Sequence, residues 1–350
     1  AEGELPPLCT SPGPGTAPPD RLDTPGADAC HDPGLGAARA RAEVLSCAMP
    51  CTSARLRIGV AGWTDPTLTA RGVFYPSGAD TPEHRLRYYA SRFPLVEVDA
   101  TFYALPTRGM AVAWAARTPA GFTFDVKAHG LMTGHGADLR RLPDWLRREL
   151  PGELGTRGRV YGRDLPGTLL AEVWRRFLEA LDPLRAVGKL GSILLQFPRW
   201  FVPSRESARA LADARDRLGG DIGAVEFRHR DWMTGPVASR SLGLLRELDL
   251  AYVVVDGPQG MESSMPPVAA TTSPRLAVLR LHGRRCATWE ARNDPATERY
   301  RYLYDEDELA EHLRQILELS AQKAGALHVI YNNCHGNYAV TNAAELTMRM

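Results

Sequence analysis

Basic side chains recur where apolar, strand-like segments end, and they are the strongest chemical signal in the chain. The set comprises Lys127, Arg228, Arg280 and His282. Ammonium and guanidinium groups complement carboxylates and phosphates, and a guanidinium can hold either one with two parallel hydrogen bonds. The set therefore predicts a binding site for a small anion.

Two carboxylates, Glu226 and Asp256, occur at equivalent positions in the pattern. Either one would serve as general acid or base near its partner cations, and Lys127 completes the catalytic set that we predict. A structural alternative stays open, because charged side chains inside apolar strands are costly unless they are paired. On that alternative, Glu226 simply neutralises Arg228 or Arg280.

Amide and aromatic side chains complete the predicted pocket. Gln196 ends another apolar segment, and Asn333 follows the last one, where the strand register leaves Asn332 as an alternative. We expect the amides to orient the ligand and Trp63 and Tyr103 to wall the pocket, although aromatics at such positions also pack cores. The predicted substrate-binding residues are these side chains together with Arg228, Arg280 and His282.

A metal site is the competing hypothesis for the same region. Side chains with suitable ligand chemistry are Glu97, Asp99, His129, Glu226, His229, Asp256 and His282. No H-x-x-x-H or H-E-x-x-H spacing occurs among them, and the nearby cations would repel a divalent ion, so we predict no bound metal. Cys334 and His335 are adjacent, and neighbours in sequence rarely face each other, so they are not predicted to act as nucleophile and base.

Eight apolar segments position these side chains. They span residues 56–63, 95–102, 122–128, 192–197, 222–227, 251–256, 276–282 and 327–332. Helical spacing lies between most of them, at residues 80–92, 107–117, 168–187, 204–218, 237–248 and 306–323. Alternating strands and helices form parallel sheets, and eight such units close into a barrel. We predict an α/β fold, a TIM-type (β/α)8 barrel, with its site at the C-terminal ends of the strands.

Two segments fall outside the repeating pattern. Residues 1–54 are rich in Pro, Gly and Ala and are predicted to be a disordered tail, because they offer little apolar area to bury. Residues 129–166 form a long, arginine-rich insertion after the third strand, which we expect on the C-terminal face of the barrel. The predicted barrel domain is then 55–350.

Composition limits the classes of function. Hydrophobic residues make up 44% of the chain and charged residues 24%, values typical of globular proteins. The formal net charge of +1 gives no support to a dedicated nucleic-acid-binding surface. No apolar run is long enough to span a membrane, and a cytoplasmic location is expected. Neither a G-x-x-x-x-G-K-[ST] loop nor a G-x-G-x-x-G helix start occurs, so no nucleotide cofactor is predicted.

Several ordered motifs resemble the YecE-like family, a domain of unknown function (number 72). They are residues 58–63 (IGVAGW), 97–103 (EVDATFY), 124–128 (FDVKA), 226–228 (EFR), 280–283 (RLHG) and 331–333 (YNN). The resemblance covers roughly residues 56–350 and implies a TIM-type barrel, but it supplies no reaction. His129-Gly130 and the arginine-rich insertion depart from the family pattern.

The leading hypothesis is an enzyme that acts on a small phosphorylated or carboxylated substrate at the barrel mouth. The reaction type stays open among hydrolase, lyase and isomerase, on analogy with other barrels. One alternative is a nucleic-acid-binding or phosphodiester-processing protein that uses the arginine-rich insertion. Another is a binding module without turnover.

Overall fold

The computed structural model describes residues 55–155, 158–291 and 296–350, and ten strands lie within them. They are β1 (Arg55–Ala61), β2 (Leu95–Val98), β3 (Thr123–Lys127), β4 (Gly136–Asp138), β5 (Arg159–Tyr161), β6 (Leu190–Gln196), β7 (Gly223–Glu226), β8 (Leu250–Asp256), β9 (Leu276–Leu281) and β10 (Ala326–Tyr331). Eight of them form a closed parallel barrel in the order β1-β10-β9-β8-β7-β6-β3-β2, with β2 returning to β1. The predicted TIM-type barrel is confirmed.

The strands form a barrel because their side chains are buried on both faces. All seven residues of β8 are buried, and five of the six residues of β10. Strands that are covered by side chains inside the barrel and by helices outside read as nearly continuous apolar runs. Closure is made by β1, which pairs with β10 (Val60 opposite Tyr331) and with β2 (Ala61 opposite Glu97).

Helices connect the strands along the chain. They are α1 (Pro82–Ala90), α2 (Arg108–Ala116), α3 (Asp144–Glu149), α4 (Gly167–Ala180), α5 (Asp182–Ala186), α6 (Arg205–Leu218), α7 (Gly235–Glu247), α8 (Cys286–Trp289), α9 (Ala296–Arg299), α10 (Glu306–Ala321) and α11 (Tyr338–Met348). None of the helices within the described residues is long and apolar enough to cross a membrane. Side-chain caps set several starts: Thr81, Thr107 and Ser204 each accept a backbone N–H of the helix that follows.

Two predicted elements differ from the structure. The single helix expected over residues 168–187 is two helices, α4 and α5, because Pro183 has no N–H to continue the helical bonds and sits in the first turn of α5. The second strand was expected to reach residue 102 but ends at Val98, and Ala100–Phe102 form a 3₁₀ turn.

The long insertion has structure of its own. Between β3 and α4, strands β4 and β5 form a two-stranded antiparallel ribbon, and α3 lies between them along the chain. The predicted tail, residues 1–54, lies outside the described residues. The insertion, residues 129–166, begins two residues after Lys127 at the end of β3, so its first residues lie at the C-terminal mouth of the barrel.

The start of α10 offers a measurable local contribution to stability. Asp305 accepts the N–H of Glu308 at 3.0 Å, and Glu308 in return accepts the N–H of Asp305 at 3.0 Å. Loss of such a cap costs about 1 kcal/mol, so Asp305→Ala should lower the free energy of unfolding in urea by that amount. Glu318→Ala, at an exposed site of the same helix, is the control and should change it by less than roughly 0.5 kcal/mol. Equal effects would contradict the capping role.

Candidate anion-binding site

The interior of the barrel holds a buried cluster of one arginine and two glutamates. Arg280 of β9 donates to Glu97 of β2 (Nη2 to Oε1, 2.7 Å) and to Glu226 of β7. These three strands are not neighbours in the sheet, so the side chains can meet only inside the barrel. All three are fully buried, with at most 1% of any side chain exposed.

The two glutamates have opposite electrostatic character. Burial alone would raise the pKa of Glu226, but the guanidinium groups of Arg228 and Arg280 outweigh it and hold that pKa well below the usual value. Burial raises the pKa of Glu97, and Arg280 and Lys127 offset it only in part. Glu226 is therefore ionised at neutral pH and pairs with both arginines, so its single charge leaves the group of three with a net positive charge.

A second layer of polar side chains lies above this cluster, at the strand ends. The Nε of Arg228 donates to Glu226 (2.5 Å), and its Nη2 donates to the amide oxygen of Gln196 (3.2 Å). The same oxygen accepts a hydrogen bond from Nζ of Lys127 at 3.0 Å. His282, directly after β9, places its Nε2 3.2 Å from Nη2 of Arg228. Four strands thus bring their ends to one polar group.

The same surroundings change the protonation of the basic members. Burial, reinforced by the charge of Arg228, lowers the pKa of His282 to about 3, so its imidazole is neutral. Burial and the charge of Arg280 lower the pKa of Lys127 to about 8. Thr101 holds the C-terminal end of β3 in place, because its hydroxyl donates to the carbonyl of Lys127 at 2.6 Å.

A cavity of about 240 Å³ opens onto this layer from the C-terminal face. Its wall is largely aromatic and basic, and includes His135, Gln196, Trp200, Arg228, Trp289 and Tyr300. The Arg228 guanidinium lies 5.3 Å from the centre of the Trp289 ring, and Trp200 is 54% exposed at the rim. The cavity can therefore offer a ligand both a cation and flat apolar surface.

Six of the ten residues predicted from sequence come together in these two layers. They are Lys127, Gln196, Glu226, Arg228, Arg280 and His282. The two terminal nitrogens of Arg280 each donate to a glutamate, Nη1 to Glu226 and Nη2 to Glu97. Arg280 therefore positions Glu226, and Glu226 in turn positions Arg228. Gln196 and Arg228 line the cavity itself, and Lys127 lies directly behind them through its hydrogen bond to Gln196.

Asp256 is not brought to the site. It stands opposite Leu281 in the sheet, one residue beyond Arg280, and alternation along the strand directs it to the outer face of the barrel. There it accepts from Arg284 Nη2 (2.7 Å) and from the hydroxyl of Tyr304 (2.7 Å). Its contacts are those of a structural anchor between the barrel and the segment before α10.

Asn333 also lies away from the predicted pocket. Its amide nitrogen donates to the carbonyl of Tyr302 (2.8 Å) and to Asn342 of α11 (3.0 Å), and the side chain is fully buried. Asn332 takes the expected place instead, with its amide 2.8 Å from Nδ1 of His282. The alternation of adjacent residues separates the two asparagines.

The two aromatic residues predicted to wall the pocket, Trp63 and Tyr103, also lie in different places. Trp63 is buried and packs edge-to-face on Trp114 with ring centres 6.1 Å apart, so it belongs to the core. Tyr103 is 50% exposed and contacts Phe102, the ring over which Nζ of Lys127 lies at 4.6 Å. Tyr103 is thus close to the polar layer but stands at its outer edge.

Sequence reasoning missed several residues of the cavity wall, and it considered Glu97 only as a candidate metal ligand. His135 comes from the insertion, and Trp289 and Tyr300 come from the irregular stretch between β9 and α10, where no periodic pattern marks them. Glu97 did carry a signal, since a carboxylate inside the apolar segment of β2 requires a buried cation. Among the residues that the structure describes, no group of three or more His, Cys, Asp or Glu side chains is arranged to hold a metal ion.

The fold and site define a class: a parallel α/β barrel with a buried arginine–glutamate cluster beneath a basic and aromatic cavity. The family model described as "Protein of unknown function DUF72" matches residues 57–350, and the chain belongs to that family. This confirms the resemblance drawn from the sequence motifs.

Relatives of known sequence or structure match nearly all of the barrel. The UPF0759 protein YunF of Bacillus subtilis (strain 168) is 30% identical over 292 residues, which cover 83% of this chain and 92% of that protein. A DUF72 family protein (TM1631) from Thermotoga maritima MSB8 is 28% identical, with a TM-score of 0.65 over 84% of this chain and 98% of the other. A second (EF0366), from Enterococcus faecalis V583, is 24% identical with a TM-score of 0.64, covering 85% and 99%.

Proposed function

We propose that the protein is an enzyme that binds a small anionic substrate, phosphorylated or carboxylated, in the cavity at the C-terminal mouth of the barrel. The observation that carries the proposal is the placement of Arg228. Its Nε is bound to Glu226 deep in the barrel, while the guanidinium lines the cavity wall. A cation that is anchored on one side and presented to a cavity on the other is pre-organised for an anion.

Charge in the rest of the cavity supports the same ligand class. Arg199 and Arg299 also line it, and the carboxylate of Glu290 is engaged by the N–H and hydroxyl of Ser263 (3.2 and 2.7 Å). Three arginines against the single carboxylate of Glu290 leave the lining basic. A ligand carboxylate or phosphate would exchange its water shell for guanidinium groups inside a partly apolar enclosure, where such contacts are stronger than in open solvent.

Within this function, the residues divide by task. Arg228 holds the anion, and Gln196 links it to Lys127 through one shared oxygen. Arg280 and Glu226 keep Arg228 in place, a positioning task. Proton transfer falls more naturally to Lys127, whose pKa of about 8 lies near the working range, than to Glu226, which is held in its ionised form.

Calorimetric titration with inorganic phosphate and with small dicarboxylates tests the proposal. Arg228→Met should weaken binding at least about 10-fold, because hydrogen bonds to charged groups contribute roughly 1.5–3 kcal/mol. Arg246→Met is the matched control: this exposed arginine lies in the last turn of α7, and its loss should leave affinity unchanged. If none of these anions binds the wild type, or if Arg228→Met binds them equally well, the proposal is wrong.

Two alternatives from the sequence are separated by direct measurements. Nucleic-acid binding through the arginine-rich insertion would weaken steeply as the salt concentration rises. Two arginines of the insertion are already paired with carboxylates, Arg140 with Asp138 (2.7 Å) and Arg147 with Asp144. A binding module would take up the anion without consuming it, which product analysis detects. The cytoplasmic location stays a prediction.

A further inference from the structure

Lysine is scarce in this protein, and the few positions that keep it are informative. Of 42 lysine and arginine residues only three are lysine: Lys127, Lys189 and Lys323. Lys323 is exposed just after α10. The ammonium of Lys189 is occupied, since it donates to the carbonyls of Ala115 and Thr118 at 2.7 Å each. Lys127 is the lysine that stands at the polar layer beneath the cavity.

An arginine at this position would supply the same positive charge. A lysine adds something that a guanidinium cannot, a nitrogen with a lone pair that becomes a nucleophile once its proton is lost. The site favours that loss: Nζ lies over the face of Phe102 at 4.6 Å, in company with Arg228 and Arg280. A lysine that is desolvated or placed beside other cations is the usual activated amine of carbonyl chemistry.

The amine remains within reach of a ligand. Lys127 as a residue is partly exposed, unlike the fully buried Arg280 below it, and its ammonium lies one hydrogen bond behind the cavity wall, on Gln196. Nζ and Nη2 of Arg228 share the amide oxygen of Gln196, at 3.0 and 3.2 Å. A short ligand whose anionic group is bound by Arg228 therefore brings an adjacent carbonyl carbon beside Nζ.

We propose that Lys127 is a nucleophile that forms an imine with the carbonyl group of an anionic aldehyde or ketone held by Arg228. This inference rests on the proposed function for the ligand's anionic group, and it narrows the substrate class to carbonyl compounds. Under this proposal Lys127 forms a covalent bond to the substrate. Without it, the positive charge of Lys127 would be enough to explain its place in an anion-binding site.

The step balances as follows. The Nζ lone pair forms a bond to the carbonyl carbon, and the C=O electron pair moves to oxygen. One proton from the amine and one from an acid convert that oxygen to water, which leaves, and the C=N bond of a protonated imine remains. Solvent water that enters with the ligand relays this second proton from hydronium or a buffer acid, so the step needs no oxidant, reductant or further co-reactant.

The protonation state of Lys127 makes the step possible near neutral pH. With a pKa of about 8, roughly a fifth of the amine is neutral at pH 7.4, compared with about one part in a thousand for an ordinary lysine. Reactivity should therefore rise with pH and level off above pH 8. An exposed lysine such as Lys323 should instead continue to gain reactivity beyond pH 9.

Reductive trapping on the full chain tests the proposal, with glyoxylate as the anionic aldehyde, glycolaldehyde as an uncharged one, and cyanoborohydride as reductant. Peptide mass mapping then compares the three lysines within one sample. We expect glyoxylate to label Lys127 at least about 10-fold faster than Lys323, with Lys189 protected by its carbonyl partners. Lys127→Arg should remove that adduct, whereas Lys323→Arg should remove only its own.

The outcomes separate this inference from the proposed function. If phosphate binds as proposed but Lys127 is labelled no faster than Lys323, the imine proposal is overturned and anion binding stands. If Lys127 reacts equally fast with both aldehydes and Arg228→Met makes no difference, the amine is confirmed as a nucleophile and the anionic substrate is overturned. Because the comparison of lysines and the comparison of aldehydes are both made on the wild type, the test holds even if a variant fails to fold.

Discussion

Replacement of Arg280 by methionine is expected to lower the free energy of unfolding by roughly 3–5 kcal/mol, the range for breaking a buried ion pair from one side. The variant leaves the carboxylates of Glu97 and Glu226 inside the barrel without the guanidinium that joins them. One oxygen of Glu97 already has no hydrogen-bond partner among the described residues, so this carboxylate would lose its main compensation. Urea unfolding measures the change.

The pH dependence distinguishes lost charge compensation from lost packing. Without Arg280, the already raised pKa of Glu97 should rise further, and the pKa of Glu226, then held down by Arg228 alone, should also rise. The variant should therefore lose less stability than the wild type as pH falls. The wild type loses stability on acidification, because the depressed pKa of Glu226 stabilises the fold only above the unfolded value near 4.5. The difference between the two proteins should shrink below pH 5. A difference that is constant from pH 7 to pH 4 would contradict the electrostatic explanation.

Replacement of Gly59 by alanine is expected to destabilise the barrel by roughly 3 kcal/mol, the upper part of the range for overpacking. Gly59 lies in β1 opposite Leu95, and a Cβ at this position would stand 2.0 Å from the Leu95 carbonyl oxygen. That neighbour is backbone, so relief requires β1 and β2 to move apart where they close the barrel.

A second glycine provides the matched control for this experiment. Gly243 lies in α7, and a Cβ there would meet nothing within 4 Å. Gly243→Ala should therefore stabilise the protein by about 0.5–1 kcal/mol through helix propensity alone. In both thermal and urea unfolding, Gly59→Ala should lower the stability and Gly243→Ala should raise it. A change of the same sign in the two variants would show that the close approach at Gly59 is not the cause.

Much of the fold could be predicted from sequence because parallel barrel strands are apolar on both faces and stand out as short apolar runs. The same property hides the direction of individual side chains. The segment Leu250–Val255 of β8 is uniformly apolar, so nothing in it indicates whether Asp256 points inward or outward. Pairing with β9 decides this in the structure and directs Asp256 outward while Arg280 points inward.

The candidate site was predictable to the extent that a charge interrupted an apolar strand. Lys127, Glu226 and Arg280 were found this way, because each is a cost to the strand that calls for a partner. The walls of the cavity carry no such mark. Trp289, at the end of the short helix α8, and Tyr300, just after α9, lie between β9 and α10, and helices of four residues are too short to show a periodic pattern in the sequence.

The buried bridge from Arg280 to two glutamates has a topological consequence. Eight strands can in principle close with more than one stagger between the first and the last. A displacement of β9 by one residue would turn Arg280 toward the helices and Leu281 toward the interior, and would remove the one guanidinium that joins Glu97 to Glu226. The bridge joins β2, β7 and β9, so it favours the one stagger of the strands, or shear, in which all three side chains meet. The three side chains that support the ligand cavity therefore also stabilise the register in which the barrel closes.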